Sequence, residues 1–268
     1  FELLLDGPLD VARFERAVAS VVARHQALAV AFSVDGAAQI HHPRSAVRLQ
    51  HEDLSSHEDP LDAYLEACMR WRATPFDTAT APLVRGVLYR FGPDHHRLFM
   101  AAHHLVMDGW SMRVVLKDLM DHYNATTPDA VARIPAADSW RDFVLAERAR
   151  RDGPEGARSL AYWRQRFPTL PEPLRLPTDR PRAGRISFEA ASFTLDMPAT
   201  RWQRLREQAR RTKTTRFVLL LTGYFALLHR LSGQTDLVCG IPFAGAARAG
   251  GAGVGGATGH TLPLPLEV

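Results

Sequence analysis

Cysteine and lysine are the scarce residues of this chain. Only Cys68 and Cys239 occur, with no CxxC pair, which excludes a disulfide-stapled secreted scaffold and a cysteine zinc site. Both thiols lie in apolar surroundings and read as reduced core residues of a cytoplasmic protein. Lys117 and Lys213 are the only lysines among 33 basic residues, so the positive charge is nearly all arginine. No basic stripe carries interleaved aromatics, and the tight cluster Arg148, Arg150 and Arg151 reads as a solvated helix face; no nucleic acid is expected as partner. Long apolar runs are missing too. The most apolar stretch, Phe217 to Leu228, is broken by Thr222, Gly223 and Tyr224 and falls short of the ~20 residues that span a bilayer, so no membrane association is expected. The chain opens Phe1-Glu2-Leu3 without Met or a basic leader and closes inside strand-like sequence, so it reads as cut from something longer. HExxH, G-x-S-x-G, a phosphate loop and a glycine fingerprint joining strand to helix are all absent. No bound metal or cofactor is therefore expected.

What is present is an ordinary globular composition. The 268 residues are 46% hydrophobic and 23% charged, enough for one large domain or two lobes with a real core. Apolar residues at Val11, Phe14, Val18, Val21, Val22 and Leu28 recur with helical spacing and predict a helix over 10–28. Strands are predicted at 28–34, 38–42 and 47–51, with Asp35-Gly36 as a hairpin turn, then a helix at 60–73. Segments 83–91 and 97–106 read as a hairpin around Gly92-Pro93-Asp94, followed by a helix at 110–124. Further helices are predicted at 138–151 and 158–167. The proline-rich stretch Pro168 to Pro181 reads as a linker. Beyond it come a strand near 188–196, helices at 199–211 and 215–231, a strand at 236–241 and an Ala/Gly-rich loop at 244–259. Alternating strands and helices predict an α/β fold with helices packed on a sheet.

Three adjacent histidine pairs provide an internal control. His41-His42 sits beside Pro43, and His95-His96 follows a turn; neither leads into reactive chemistry, and both read as solvated surface. His103-His104 ends an apolar segment and runs through Leu105-Val106-Met107-Asp108-Gly109-Trp110-Ser111 into a helix start. Successive strand side chains face opposite ways, so one imidazole can face a cavity while the other supports it. Asp108 can fix the turn or pair with a cation. Gly109 permits φ > 0 or close ligand approach, and the helix beginning near Ser111 offers N–H groups and a positive dipole end.

This HHxxxDG segment resembles the signature of condensation domains of non-ribosomal peptide synthetases, within the chloramphenicol-acetyltransferase-like superfamily. Other pieces are similar in the same order: Arg24-His25-Gln26-Ala27-Leu28, Pro75-Phe76-Asp77, Pro82-Leu83-Val84-Arg85, Trp140-Arg141-Asp142-Phe143, Tyr162-Trp163, Leu176-Pro177-Thr178-Asp179-Arg180-Pro181 and Gly233-Gln234-Thr235-Asp236. The early motif departs from the usual Leu-Arg-Thr with Leu28-Ala29-Val30. The segment from Gly259 to Glu267 lacks the family's Asn and has Glu267 where Arg is usual. The paired histidines exclude the cyclising sub-type, and Asp108-Gly109-Trp110-Ser111 differs from the epimerising pattern.

The resemblance implies an α/β fold of two acetyltransferase-like lobes on mixed sheets: 1–170 carrying HHxxxDG, a linker at 171–185, and 186–268 as the beginning of a truncated second lobe. It implies amide formation between a donor acyl thioester and an acceptor aminoacyl thioester. Both substrates are presented on the 4'-phosphopantetheine of upstream and downstream peptidyl carrier protein domains of a multidomain synthetase. His104, Asp108 and Gly109 are the implied catalytic set, supported by His103, Trp110 and Ser111, with Arg248 as candidate partner of Asp108. An ester-forming acyltransferase of the same superfamily and a non-catalytic docking module remain as alternatives.

Overall fold

The computed structural model describes residues 1–180, 191–245, 253 and 255–267. The chain divides into two compact units, Phe1–Ser159 with Pro242–His260, and Leu160–Ile241 with Thr261–Val268.

The first unit is built on a four-stranded sheet whose order is set by one central hairpin. Strands β1 (Glu2–Asp6), β4 (Leu49–Asp53), β5 (Val84–Gly92) and β6 (His95–Ala102) lie in the order β1-β6-β5-β4. The β1/β6 and β5/β6 pairs are antiparallel and β4/β5 is parallel, so the sheet is mixed. Alternation along these strands builds two cores, because neighbouring side chains leave on opposite faces. Leu88, Leu98 and Met100 join Phe14, Val18 and Val22 of α1 (Val11–Arg24) and Val115 and Leu119 of α3 (Gly109–Asn124). Val87, Tyr89 and Phe99 face the other way and meet Tyr64 and Cys68 of α2 (Pro60–Ala73). Tyr64 and Tyr89 meet edge to face at 5.1 Å.

Local chemistry explains several boundaries. Asp59 accepts from the N–H groups of Leu61 and Asp62, and Pro60 opens α2, so that helix spans the predicted 60–73. Helix α1 stops at Arg24, short of the predicted 28, because His25 is extended and a single 3-10 turn, Gln26–Ala29, follows. The short pair β2 (Val30–Phe32) and β3 (Gln39–His41) follows, with Gly36 at φ +70° in the connection. Helices α4 (Pro128–Ala132), α5 (Trp140–Asp152) and α6 (Pro154–Arg166) complete the series as far as Arg166; α4 is not anticipated by the periodicity.

The β5–β6 hairpin departs from its sequence pattern in two places. The turn between β5 and β6 is so short that His95 and His96 both lie in β6, and alternation sends them apart. His95 is exposed and pairs with Asp6 at 3.0 Å, whereas His96 is buried, contrary to its reading as solvated surface. Strand β6 ends at Ala102 rather than 106. Val106 and Met107 are apolar because they anchor a turn in the core, not because they extend a strand.

The second unit holds α7 (Ala199–Arg211) and α8 (Arg216–Ser232), with Phe225 and Leu228 packed on Leu237 of β7 (Asp236–Ala244). Strand β7 pairs with β8 (Gly259–Glu267). Gly233, at φ +70°, closes α8 as its left-handed cap. The strand expected near 188–196 is not formed over 191–196, and its first residues lie outside the described residues.

Candidate active site

The candidate site grows from the junction of β6 and α3. The His103 N–H donates to the Leu83 carbonyl at 2.9 Å, carrying the sheet ladder one step past the strand. The chain then turns, with the Val106 N–H donating back to the His103 carbonyl at 3.0 Å. Within this turn the Leu105 N–H donates to His103 Nδ1 at 3.1 Å. That bond leaves Nε2 as the protonated nitrogen of a neutral His103 ring. The ring meets Phe76 edge to face at 6.1 Å and lines a cavity of about 500 Å³ with Trp71, Phe76 and Arg85. His104 is not among the residues that line this cavity. Its side chain is exposed and has no hydrogen-bond partner among the described residues. The two imidazoles thus differ in surroundings, but it is His103 and not His104 that lines this cavity, and their separation comes from the turn and not from strand alternation.

Asp108 is a buried N-cap of α3. Its Oδ1 accepts from the Ser111 N–H and hydroxyl, each at 2.8 Å, while the Asp108 N–H donates to Ser111 Oγ at 2.7 Å. This reciprocal capping box leaves Oδ2 for other donors. Oδ2 accepts from the N–H groups of Thr258 at 2.7 Å and Gly259 at 2.6 Å, and from the Thr258 hydroxyl at 3.3 Å. Burial opposes the charge, yet the donors from Ser111, Thr258 and Gly259 outweigh it and hold the carboxyl below its ordinary value. A carboxylate with both oxygens so occupied is a brace and not a base. Arg248, its candidate partner from sequence, lies outside the described residues. The donors found are main-chain groups, which residue identity does not reveal.

Gly109 opens α3 without positive φ, so the backbone argument for a glycine there does not apply. A Cβ at this position meets nothing within 4 Å. What remains is close approach of a ligand. The N–H groups of Gly109 and Trp110 have no partner among the described residues, as is usual for the first turn of a helix. Trp110 is half-buried, its indole N–H has no partner among the described residues, and the Arg113 guanidinium lies 5.8 Å from its ring centroid.

The Arg24-His25 motif has a different part. Arg24 Nε donates to Asp118 Oδ2 at 2.8 Å, and His25 Nε2 lies 2.9 Å from the same oxygen. Burial lowers the His25 pKa against the opposing pull of Asp118, so the ring acts as a neutral donor. The motif ties α1 to the middle of α3. Among the described residues no three His, Cys, Asp or Glu side chains gather as a metal set, and no helix is long and apolar enough to cross a membrane.

A mixed sheet flanked by helices, with an exposed imidazole on a sheet-to-helix turn braced by a buried aspartate, defines a chloramphenicol-acetyltransferase-like α/β protein. The chain belongs to the condensation-domain family, whose profile matches residues 1–266. Members of that family are acyltransferases of peptide synthetases. Gramicidin S synthase 2 of Brevibacillus brevis is 30% identical over 262 residues, 98% of this chain and 6% of that protein. Phosphinothricin tripeptide synthetase PhsB of Streptomyces viridochromogenes is 33% identical over 274 residues, 100% of this chain and 23% of that protein. Among solved structures, the first condensation domain of the CDA synthetase matches with a TM-score of 0.79 and 30% identity, covering 100% of this chain and 64% of that one. The chain thus spans a small share of these curated relatives and somewhat under two-thirds of the solved domain.

Proposed function

We propose that the chain forms an amide bond between a donor acyl thioester and the amine of an acceptor aminoacyl thioester, each carried on the 4'-phosphopantetheine of a carrier protein in the cytoplasm. The observation that carries this reading is the exposed His104 ring, unpartnered among the described residues, on a turn fixed by buried Val106, Met107 and Asp108. The acceptor amine attacks the thioester carbonyl carbon, forming C–N while the π pair moves to oxygen. The tetrahedral intermediate collapses, C–S breaks, and the thiolate leaves with the proton that the nitrogen gave up. An α-amine has an ordinary pKa of about 7.7–8.0, so much of it is already neutral near pH 8. Holding two tethered reactants together then contributes more than a strong base, with effective molarities up to ~10⁵–10⁸ M. His104 orients the amine and relays its proton. The free N–H groups of Gly109 and Trp110 face the developing oxyanion. Asp108 and Ser111 hold that helix start, and His103 and the half-buried Trp110 support the turn.

On the same reading, 1–170 is the first acetyltransferase-like lobe, 171–185 the linker, and 186–268 the beginning of a second lobe; the 64% coverage of the solved domain supports its being partial. Upstream and downstream carrier domains are the partners. The departures at 259–267 do not remove the brace on Asp108, because Thr258 and Gly259 hold it with main-chain N–H groups that any non-proline residue supplies.

The test is His104→Ala, assayed for amide product with both carrier-bound substrates. A loss of at least ~10²-fold with thermal unfolding unchanged is expected. Undiminished turnover removes the mechanism. An alcohol acceptor used in preference to an amine, with a sharp pH limb, moves the assignment to ester formation.

A further inference from the structure

The residues that brace Asp108 belong to a segment that follows closely along the first unit. The Gly253 N–H donates to Asp138 Oδ2 at 3.1 Å. Gly255 lies so close to the buried His25 ring that a Cβ there would fall 2.8 Å from Cγ and still nearer Nδ1. A Cβ on Gly256 would run into the six-membered ring of Trp140 and stand 2.9 Å from the Ala27 Cβ. Two residues on, Thr258 and Gly259 deliver their N–H groups to Asp108. Real Cβ atoms do not tolerate such distances, so both positions are restricted to glycine by packing and not by φ. At 3.3–3.6 Å of chain per residue, the span from Gly256 to Thr258 has little slack to absorb a displaced contact.

We infer that Gly255 and Gly256 are positioning residues for the proposed amide-forming reaction: their close seating on His25 and Trp140 sets the register that presents the Thr258 and Gly259 N–H groups to Asp108, and so holds the start of α3 and the His104 turn. The inference rests on the proposed function of that turn. Gly256 touches no reacting group. It acts through the donors two and three residues further on.

Gly256→Ala in the protein with both carrier-bound substrates tests this. Turnover is expected to fall at least about tenfold, with apparent KM for each carrier substrate within twofold, since misplacement of about 1 Å can cost ~10²-fold in rate. The acid limb of the turnover profile is expected to move to higher pH as Asp108 loses donors. Trp140→Phe in the Gly256→Ala background vacates the space and restores most of the turnover together with the parent position of the acid limb, a shift that mere destabilisation does not produce. Gly255→Ala, set against His25, is the second variant should Gly256→Ala fail to fold, and it is expected to show the same split. His104→Ala runs in parallel. If it keeps full activity, the functional reading fails. If it is inactive while folded Gly256→Ala or Gly255→Ala turns over like the parent, the positioning role is overturned.

Discussion

Helix α3 carries two buried carboxylates, Asp108 at its cap and Asp118 ten residues on, and the protein treats them differently. Asp108 is surrounded by neutral donors, four from Ser111, Thr258 and Gly259 spread over both oxygens at 2.6–2.8 Å. Asp118 meets Arg24 and His25, and both converge on Oδ2. The first arrangement anchors main chain, with the helix dipole favouring the negative charge. The second staples two helices through a guanidinium and a neutral imidazole. One carboxylate therefore shapes the candidate site, and the other maintains the scaffold beneath it.

Alanine at each position draws the contrast most strongly. Asp108→Ala strands buried donors and removes a cap; it is expected to cost about 3 kcal/mol and at least ~10²-fold in turnover through loss of positioning. Asp118→Ala is expected to cost a similar ~3 kcal/mol by leaving Arg24 without its carboxylate, yet folded protein keeps turnover within about threefold. Thermal unfolding and single-turnover amide formation separate the two; equal activity losses would erase the distinction.

Asparagine sharpens it. At 118 an amide oxygen turned toward Arg24 and His25 keeps both bonds, so Asp118→Asn recovers most of the stability. At 108 both oxygens accept, an amide nitrogen must face donors, and Asp108→Asn is expected to be no better than alanine.

Acid reads out the two neighbourhoods separately. The pKa of His25 is lowered by burial below its ordinary 6.5, so the unfolded chain binds that proton first. Stability is flat above 6.5 and falls as pH drops toward the lowered value. Asp108 is held below its ordinary 3.8, so its contribution is complete above 3.8 and is lost as pH falls further. Denaturant midpoints against pH should show two limbs, the upper one reduced by His25→Gln and its remainder carried by the buried His96, whose pKa burial lowers in the same way.

The smallest effect is at Gly109. Because its Cβ position is open, Gly109→Ala is expected to raise stability by about 0.4–1 kcal/mol while lowering turnover several-fold. Unchanged turnover would mean that no ligand approaches there.

Residue pattern made much of this legible. The predicted 60–73 coincides with α2 and the predicted 199–211 with α7, and the HHxxxDG run falls at a strand-to-helix turn. Failures came where packing overrode pattern. Val106 and Met107 continue an apolar run yet sit in a turn, and His96 is drawn inside by strand alternation once the turn is only two residues long. The braces on Asp108 were illegible for a simpler reason: an amide N–H belongs to nearly every residue, so only the path of the chain selects Thr258 and Gly259. Asp118, placed on the helical face that meets α1, carries no sequence signal beyond its spacing.

Because β6 lies between β1 and β5, the His103-His104 turn hangs from an interior strand instead of an edge. Solvent deuterons reach the amides of that strand only when neighbours on both sides let go, so their exchange tracks the rarest openings of the unit. The turn proposed to react is thereby fastened to a strand that both of its neighbours shield.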